Sequence, residues 1–219
     1  MIRAPITPER ARELYDFFSA FYGYVAWLES GSRMKGLDLA DVKQGSAVLE
    51  VGFGTGNVLL ELAKNVGEKG EVCGIDISPK MLENAKRRLE RRGLRDKVDL
   101  RLGDARKLPY SDDKFDIVFS SYVLDLIDTP EIPLVLSEFK RVLRSGGRLV
   151  LVNMSKGGSW YTNMKVYEWI YKASPSCLGG CRPVLIKSYL EELGFQNVRR
   201  EFMLAGHLLP SEIVFGEKP

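Results

Sequence analysis

The chain has 219 residues, of which 45% are hydrophobic and 28% are charged, and its formal net charge at pH 7 is +3. This composition is typical of a globular protein, and the length fits one domain with a substantial core. The small net charge does not indicate nucleic-acid binding, and no apolar run reaches the ~18 residues that a transmembrane helix needs. The N-terminus lacks the apolar core of a signal peptide, so we expect a cytoplasmic protein.

The first helical pattern covers residues 7–29. Its apolar side chains recur at helical spacing, and four further aromatic residues make it unusually rich in rings: Tyr15, Tyr22, Tyr24 and Trp27. Two functions are open for this segment, packing against the rest of the domain or forming a lid over an active site. A loop or short helix over residues 31–45 follows, and 1–45 together form an expected N-terminal cap.

A glycine-rich loop separates a short apolar run from a second helical pattern. Residues 46–51 predict a buried strand, glycines stand at positions 52, 54 and 56, and the helical pattern runs to about Asn65. Glycine is needed where the backbone takes a positive φ or where a ligand approaches it closely. The first turn of the helix leaves N–H groups without intrahelical partners, which favours a polar ligand there. A dinucleotide fingerprint needs glycine at position 57, which is Asn here.

A carboxylate ends the next predicted strand, residues 71–76, twenty residues beyond Gly56. In a βαβ unit, this Asp76 lies beside the glycine loop, where a carboxylate can accept hydrogen bonds from ribose hydroxyls. Ser78 and Pro79 then predict the start of a helix. Its basic residues, 86–92, leave nucleic acid or an acidic membrane open as a partner, but interleaved Glu83 and Glu90 favour a solvated face.

The βα alternation continues to about residue 153. We predict strands at 98–102, 115–120 and 148–153, with a helix that starts at Thr129 and ends in a cationic turn before two glycines. Residues 184–193 predict a last helix, and 195–203 with 212–215 predict a closing antiparallel hairpin. Cys177 and Cys181 have no second pair and the chain has one histidine, so no metal site is expected, while a redox-linked pair stays open.

Four of these features together resemble class I S-adenosylmethionine-dependent methyltransferases: the Glu-Val-Gly-x-Gly-x-Gly run from Glu50, the acid Asp76, the turn 103–105 and the stretch 138–153. Within that superfamily the chain is similar to the ubiquinone/menaquinone-biosynthesis C-methyltransferases. The resemblance covers residues 45–153 and implies an α/β, Rossmann-like, doubly wound sheet. Seven mostly parallel strands, one of them antiparallel, would have helices on both faces. The implied parts of the single domain 1–219 are a cap (1–45), a cofactor-binding core (46–153), a substrate-side insertion (154–183) and a closing helix and hairpin (184–219).

The resemblance also implies the cofactor, S-adenosylmethionine, with S-adenosylhomocysteine as the product. Asp104 would accept a hydrogen bond from the exocyclic amine of adenine, and an adjacent backbone N–H would reach the ring. The residues expected to bind the cofactor are Glu50, Gly52, Phe53, Gly54, Thr55, Gly56, Asp76, Ile77, Met81, Gly103, Asp104, Ala105 and Ser120.

Ligands of doubly wound sheets bind at the carboxyl ends of the strands, so residues 120–122 should face the reactive methyl group. The run Ser-Ser-Tyr-Val-Leu-Asp there differs from the Asn/Asp-Pro-Pro-Tyr of enzymes that methylate amide or adenine nitrogens. Methyl transfer requires positioning of the acceptor and, for a carbon or hydroxyl acceptor, a base. The candidate bases are Tyr122, Asp125 and His207, and the candidate substrate-binding residues are Tyr15, Tyr161 and Arg182.

The predicted function is methyl transfer to a small-molecule acceptor, either quinone-precursor-like or another aromatic or lipid-like compound. The aromatic insertion that contains Trp160 and Tyr161 would either pack in the core or form the pocket for this acceptor. The alternatives are an N-methyltransferase for an amine or phospholipid head group, a non-catalytic S-adenosylmethionine-binding relative, and a nicotinamide dehydrogenase. No nucleic-acid partner is expected, peripheral contact with membrane lipid stays open, and the protein is expected to be a monomer or homodimer.

Overall fold

The computed structural model describes residues 29–155, 181–205 and 209–219, together with residue 13. The helices are α1 (Ser30–Ala40), α2 (Asn57–Asn65), α3 (Pro79–Glu90), α4 (Ile132–Val142) and α5 (Lys187–Glu192). The strands are β1 (Ala47–Val51), β2 (Glu71–Asp76), β3 (Val98–Leu102), β4 (Phe115–Ser121), β5 (Leu143–Met154), β6 (Gln196–Ala205) and β7 (Leu209–Glu217).

The strands form one seven-stranded sheet in the order β3-β2-β1-β4-β5-β7-β6. Strands β1 to β5 are parallel, and β7 runs antiparallel between β5 and β6. The predicted doubly wound sheet with one reversed strand is therefore confirmed. Its strand order changes direction between β1 and β4, which is where such sheets bind ligands.

The core lies on both faces of this sheet. On one face the strands bury their side chains against α1, α2 and α3, through residues such as Leu37, Leu62 and Leu89. On the other face they pack on α4 and α5, through Phe139 and Leu190. Central strands buried on both faces are expected to be mostly apolar, as β1 is apart from Glu50 and as β4 is at residues 117–119. None of the helices in the described parts is long and apolar enough to span a bilayer.

Several element boundaries differ from the sequence-based expectation. Helix α4 ends at Val142, so its last turn contains the predicted cationic residues Lys140 and Arg141. Arg144 and the two glycines lie in β5, which begins at once with a register shift opposite Phe115 and Ile117. The last helix starts at Lys187 rather than at 184. The preceding segment is irregular because Val184 and Ile186 are fully buried and the Val184 N–H donates to the Met154 carbonyl. The closing hairpin is present, with strands longer than predicted.

Three predicted regions lie outside the described residues. They are nearly all of the helix at 7–29, the aromatic insertion except its first and last residues, and the hairpin connection that contains His207. Cys177 also lies outside the described residues.

The glycine loop has the backbone conformation that the sequence predicts. Gly52, Gly54 and Gly56 all have positive φ, at 74°, 52° and 79°. Gly52 also has no room for a side chain, because a Cβ there would lie 2.0 Å from Cγ2 of Val123. The loop is therefore limited to glycine at position 52 by both conformation and packing.

We expect Gly52→Ala to lower the free energy of unfolding by about 2–5 kcal/mol, the sum of a left-handed backbone and a steric overlap. Gly45→Ala is the matched control, because Gly45 has φ 86° but a Cβ added there would meet no atom within 4 Å. That variant should lose only about 1–2 kcal/mol. Urea unfolding measures both values, and equal losses would contradict the packing argument.

Candidate active site

The glycine loop is anchored to the end of β2 by Asp76. One carboxylate oxygen accepts a hydrogen bond from the Gly54 N–H at 2.8 Å, and the other accepts from the Ser78 N–H at 2.9 Å. The Gly52 N–H donates to the Ile75 carbonyl at 2.7 Å. The structure thus brings Asp76 beside the loop, as the twenty-residue spacing indicates, and the same carboxylate fixes the start of α3.

Glu50 lies in β1 beneath the loop and is 2% exposed. Among the described residues its Oε2 has no hydrogen-bond partner. Burial raises the pKa of this carboxyl well above its ordinary value, and the opposing charge of Arg33 lowers it less. The cleft beside Glu50 is lined by Arg33, Glu50, Gly52, Phe53, Gly54, Thr55, Asn57, Val58 and Ser121.

Arg33 is a cleft residue that the sequence analysis missed. It lies in α1, is 7% exposed, and its guanidinium donates to a Glu29 carboxylate oxygen at 2.6 Å. Its guanidinium carbon also lies 5.5 Å from the centre of the Tyr122 ring. One arginine in a segment without apolar periodicity gives no signal in the sequence, so only the structure identifies it.

The turn predicted to bind adenine follows β3 and lies next to the end of β2. The Gly103 N–H donates to the Asp76 carbonyl at 2.9 Å. Asp104 closes the turn, since its carboxylate accepts from the Arg106 N–H at 2.9 Å. Ala105 and Met81 are both buried. The structure therefore brings this turn, Asp76 and the glycine loop to one edge of the sheet.

At the end of β4 the polar side chains are bonded within the protein. The Ser120 hydroxyl donates to the Val51 carbonyl at 3.0 Å. The Tyr122 hydroxyl lies 2.6 Å from the Ser32 Oγ and 2.8 Å from the Ser211 Oγ. Burial raises the pKa of Tyr122, so this phenol is neutral near pH 7.

Asp125 and Arg182 are joined deep in the protein, and both are fully buried. The two carboxylate oxygens of Asp125 accept from the Asn153 amide at 3.1 Å and from the Met154 N–H at 3.0 Å. Its carbonyl accepts from the Arg182 N–H at 3.2 Å, and the Arg182 guanidinium donates to the Ile127 carbonyl. Burial raises the pKa of Asp125 well above its ordinary value. The pair therefore connects the chain after residue 180 to the loop after β4.

Of the other predicted residues, Tyr15, Tyr161 and His207 lie outside the described part of the chain. The catalytic and substrate-binding roles assigned from the sequence stay predictions.

Glu212, on β7 beside β5, is a further buried acid that the sequence does not indicate. Its carboxylate accepts from the Arg200 side chain at 2.8 Å and from the Ser155 hydroxyl at 3.0 Å.

The residues at this edge fit an S-adenosylmethionine molecule. In doubly wound folds a nucleoside binds at a glycine loop that leads into a helix, beside an acid at the end of the neighbouring strand. The Gly52–Gly56 loop and Asp76 have this arrangement. An amino-acid group with an ammonium and a carboxylate suits the opposite charges of Glu50 and Arg33, and Glu50 has a buried oxygen to accept from it.

The chain is similar in sequence to known methyltransferases. A family model described as a methyltransferase domain matches residues 48–147. The demethylmenaquinone methyltransferase of Lactobacillus johnsonii is 30% identical over 190 residues, covering 78% of this chain and 76% of that protein. The demethylmenaquinone methyltransferase of Bacillus mycoides is 30% identical over 215 residues, covering 87% of this chain and 86% of that protein.

Solved structures share the fold. The [4+2]-cyclase SpnF has a TM-score of 0.78 at 20% identity, covering 100% of this chain and 98% of its own, a likeness of fold alone. A SAM-dependent methyltransferase from Aquifex aeolicus has a TM-score of 0.61 at 25% identity, and the match covers 84% of this chain and 88% of that protein.

The fold and the site define a class I methyltransferase that uses S-adenosylmethionine as its methyl donor. Within that class, the chain belongs to the family that includes the demethylmenaquinone methyltransferases. This membership sets aside the alternative of a nicotinamide dehydrogenase.

Because the pKa of Glu50 is raised, the stability of the ligand-free protein should depend on pH. Between the ordinary and the raised pKa, the carboxyl keeps its proton in the folded protein but has released it in the unfolded chain. The stability that Glu50 contributes is therefore present below its ordinary pKa and is lost as pH rises through the raised one. Glu50→Gln is neutral at every pH. Relative to the parent, it should therefore gain up to about 1.4 kcal/mol per pH unit above about pH 4.5.

Urea unfolding of parent and variant across this pH range measures that difference. Glu68→Gln, at an exposed position, is the control and should give none. A difference for Glu50→Gln that does not change with pH would show that the folded protein holds Glu50 ionised.

Proposed function

We propose that this methyltransferase transfers the methyl group to a ring carbon of a quinone precursor of the demethylmenaquinone type. The observation that carries the proposal is the extent of the similarity. The match to the Bacillus mycoides demethylmenaquinone methyltransferase covers 87% of this chain, well beyond residues 48–147, so it includes chain outside the cofactor-binding core.

The proposed donor site assigns each end of S-adenosylmethionine to a group of residues. Asp76 would accept from the ribose hydroxyls, and the turn at 103–105 would bind the adenine edge. Glu50 would accept from the ammonium, whose positive charge favours the ionised carboxyl, and the Arg33 guanidinium would donate to the carboxylate. When bound, the donor supplies a methyl group on a sulfonium, which is a strong electrophile.

The residues of this chain then have to orient the acceptor and keep water away. The buried Ser120 and Ser121 at the end of β4 would form the wall next to the cleft. A quinol acceptor must also lose a proton. Asp125 is fully buried and does not line the cleft. We retain His207 as the candidate base, because an imidazole is the side chain best suited to accept a proton near pH 7.

Purified protein with S-adenosylmethionine should methylate a reduced, short-chain demethylmenaquinol. Mass spectrometry would show a product heavier by one methylene unit, and fragmentation would place the methyl group on the ring. Phosphatidylethanolamine and dimethylglycine are the comparison acceptors for the N-methyltransferase alternative. Methylation of either amine in preference to the quinol would contradict the proposal.

Arg33→Gln should raise the KM for S-adenosylmethionine by about 10- to 100-fold, because a charged hydrogen bond contributes about 1.5–3 kcal/mol. Arg33→Lys keeps a cation opposite Glu29 but lacks the planar fork of arginine, so we expect an intermediate KM. Arg91→Gln, at an exposed position on the same face of the sheet as α1, is the control. Steady-state kinetics measure all three, and a parental KM for Arg33→Gln would remove Arg33 from the donor site.

A further inference from the structure

We propose that Tyr122 is a positioning residue: its hydroxyl holds α1 against the end of the sheet and so keeps Arg33 at the donor cleft. We call the three linked hydroxyls of Ser32, Tyr122 and Ser211 the hydroxyl clasp. The inference rests on the donor site proposed above, and it gives Tyr122 a task other than that of the base.

The proton of each hydroxyl in the clasp can be assigned from its partners. Ser32 donates its only proton to the Glu29 carbonyl at 2.8 Å. It must therefore accept from Tyr122, 2.6 Å away. Since the Tyr122 proton is used in this way, Ser211 donates to the Tyr122 oxygen at 2.8 Å. The chain runs from β7 through Tyr122 to the first turn of α1.

Helix α1 needs such a polar attachment because its buried face has little apolar area. The buried residues are Ser32, Arg33, Gly36, Leu37 and Ala40, of which only the last two are apolar with a side chain. The helix nevertheless lies close to the sheet, since a Cβ at Gly36 would be 2.7 Å from Cγ2 of Val152. Because α1 lies close to the sheet but buries little apolar area, hydrogen bonds must supply much of the free energy that holds the helix there.

Tyr122 is itself fixed at the centre of the site. Its φ is 57°, in the left-handed region, and its N–H donates to the Val152 carbonyl at 2.7 Å. The Arg33 guanidinium lies over its ring, and Val123, the next residue, packs on Gly52 of the glycine loop. A change at Tyr122 is therefore transmitted to both sides of the donor cleft.

This arrangement is unsuited to general-base catalysis. The proton of Tyr122 is donated to Ser32 and its oxygen already accepts from Ser211. Burial also raises the pKa of the phenol, which supports a neutral hydroxyl.

Tyr122→Phe tests the proposal, with Tyr110→Phe as the matched control. Tyr110 is also a buried tyrosine, but its hydroxyl lies near the Cys73 thiol and takes no part in the clasp. For Tyr122→Phe we expect the Kd and KM for S-adenosylmethionine to rise about tenfold, the effect of a lost buried hydrogen bond. The kcat at saturating donor and its pH profile should stay at the parental values. Tyr110→Phe should match the parent in all of these.

Two results would overturn the proposal. A fall in kcat of about 100-fold or more with an unchanged KM, or loss of one limb of the pH profile, would assign Tyr122 to proton transfer instead. Parental Kd, KM and kcat in Tyr122→Phe would show that the clasp does not act on the donor site.

If Tyr122→Phe does not fold, Ser32→Ala and Ser211→Ala test the proposal in its place. Each removes one end of the clasp, and each should raise the Kd for S-adenosylmethionine and speed hydrogen exchange within residues 30–40. Parental hydrogen exchange and parental Kd values in both variants would overturn the proposal.

The Kd for S-adenosylmethionine is measured by calorimetry without an acceptor. If the parent binds the donor but leaves the demethylmenaquinol unmethylated, the acceptor assignment fails while the clasp is still tested.

Discussion

The hydrogen bond from the Gly54 N–H to the Asp76 carboxylate, 2.8 Å long, joins the glycine loop to the end of β2, the two parts of the proposed donor site. It can form only because the glycines of the loop take positive φ and bring the backbone to the end of β2. The second oxygen of the same carboxylate holds the Ser78 N–H at the start of α3. One acid thereby sets the spacing between the glycine loop, the neighbouring helix and, through the Asp76 carbonyl, the turn at Gly103.

Much of this could be predicted from the sequence because the information is local. Buried central strands are continuous apolar runs, the loop must have glycine, and Asp76 stands at the fixed distance of a βαβ unit. Helix α1 and Arg33 could not be found in this way. The helix turns Ser32, Arg33 and Gly36 toward the sheet, so its buried face has no hydrophobic periodicity. The boundaries of β5 and α5 were missed for a related reason, since tertiary packing of residues such as Val184 decides them.

The carboxyl edge of the sheet contains buried acids that differ in how they are satisfied. Burying a carboxyl costs free energy unless hydrogen bonds or opposite charges offset that cost. Asp125 is fully buried and does not line the cleft, and both of its oxygens accept hydrogen bonds from the protein. Glu50 instead keeps an oxygen without a partner among the described residues, next to the cleft that also contains Arg33. A buried acid left in this state is destabilising for the ligand-free protein and favourable for a cationic ligand, the exchange of stability for function expected at binding sites.

A crystal structure of the protein with S-adenosylhomocysteine tests the central claim most directly. We expect both ribose hydroxyls to lie within hydrogen-bond distance of the Asp76 carboxylate and the amino-acid end to lie between Glu50 and Arg33. An adenosyl group bound elsewhere, or bound at the loop with its ribose away from Asp76, would show that the proposed donor site is wrong.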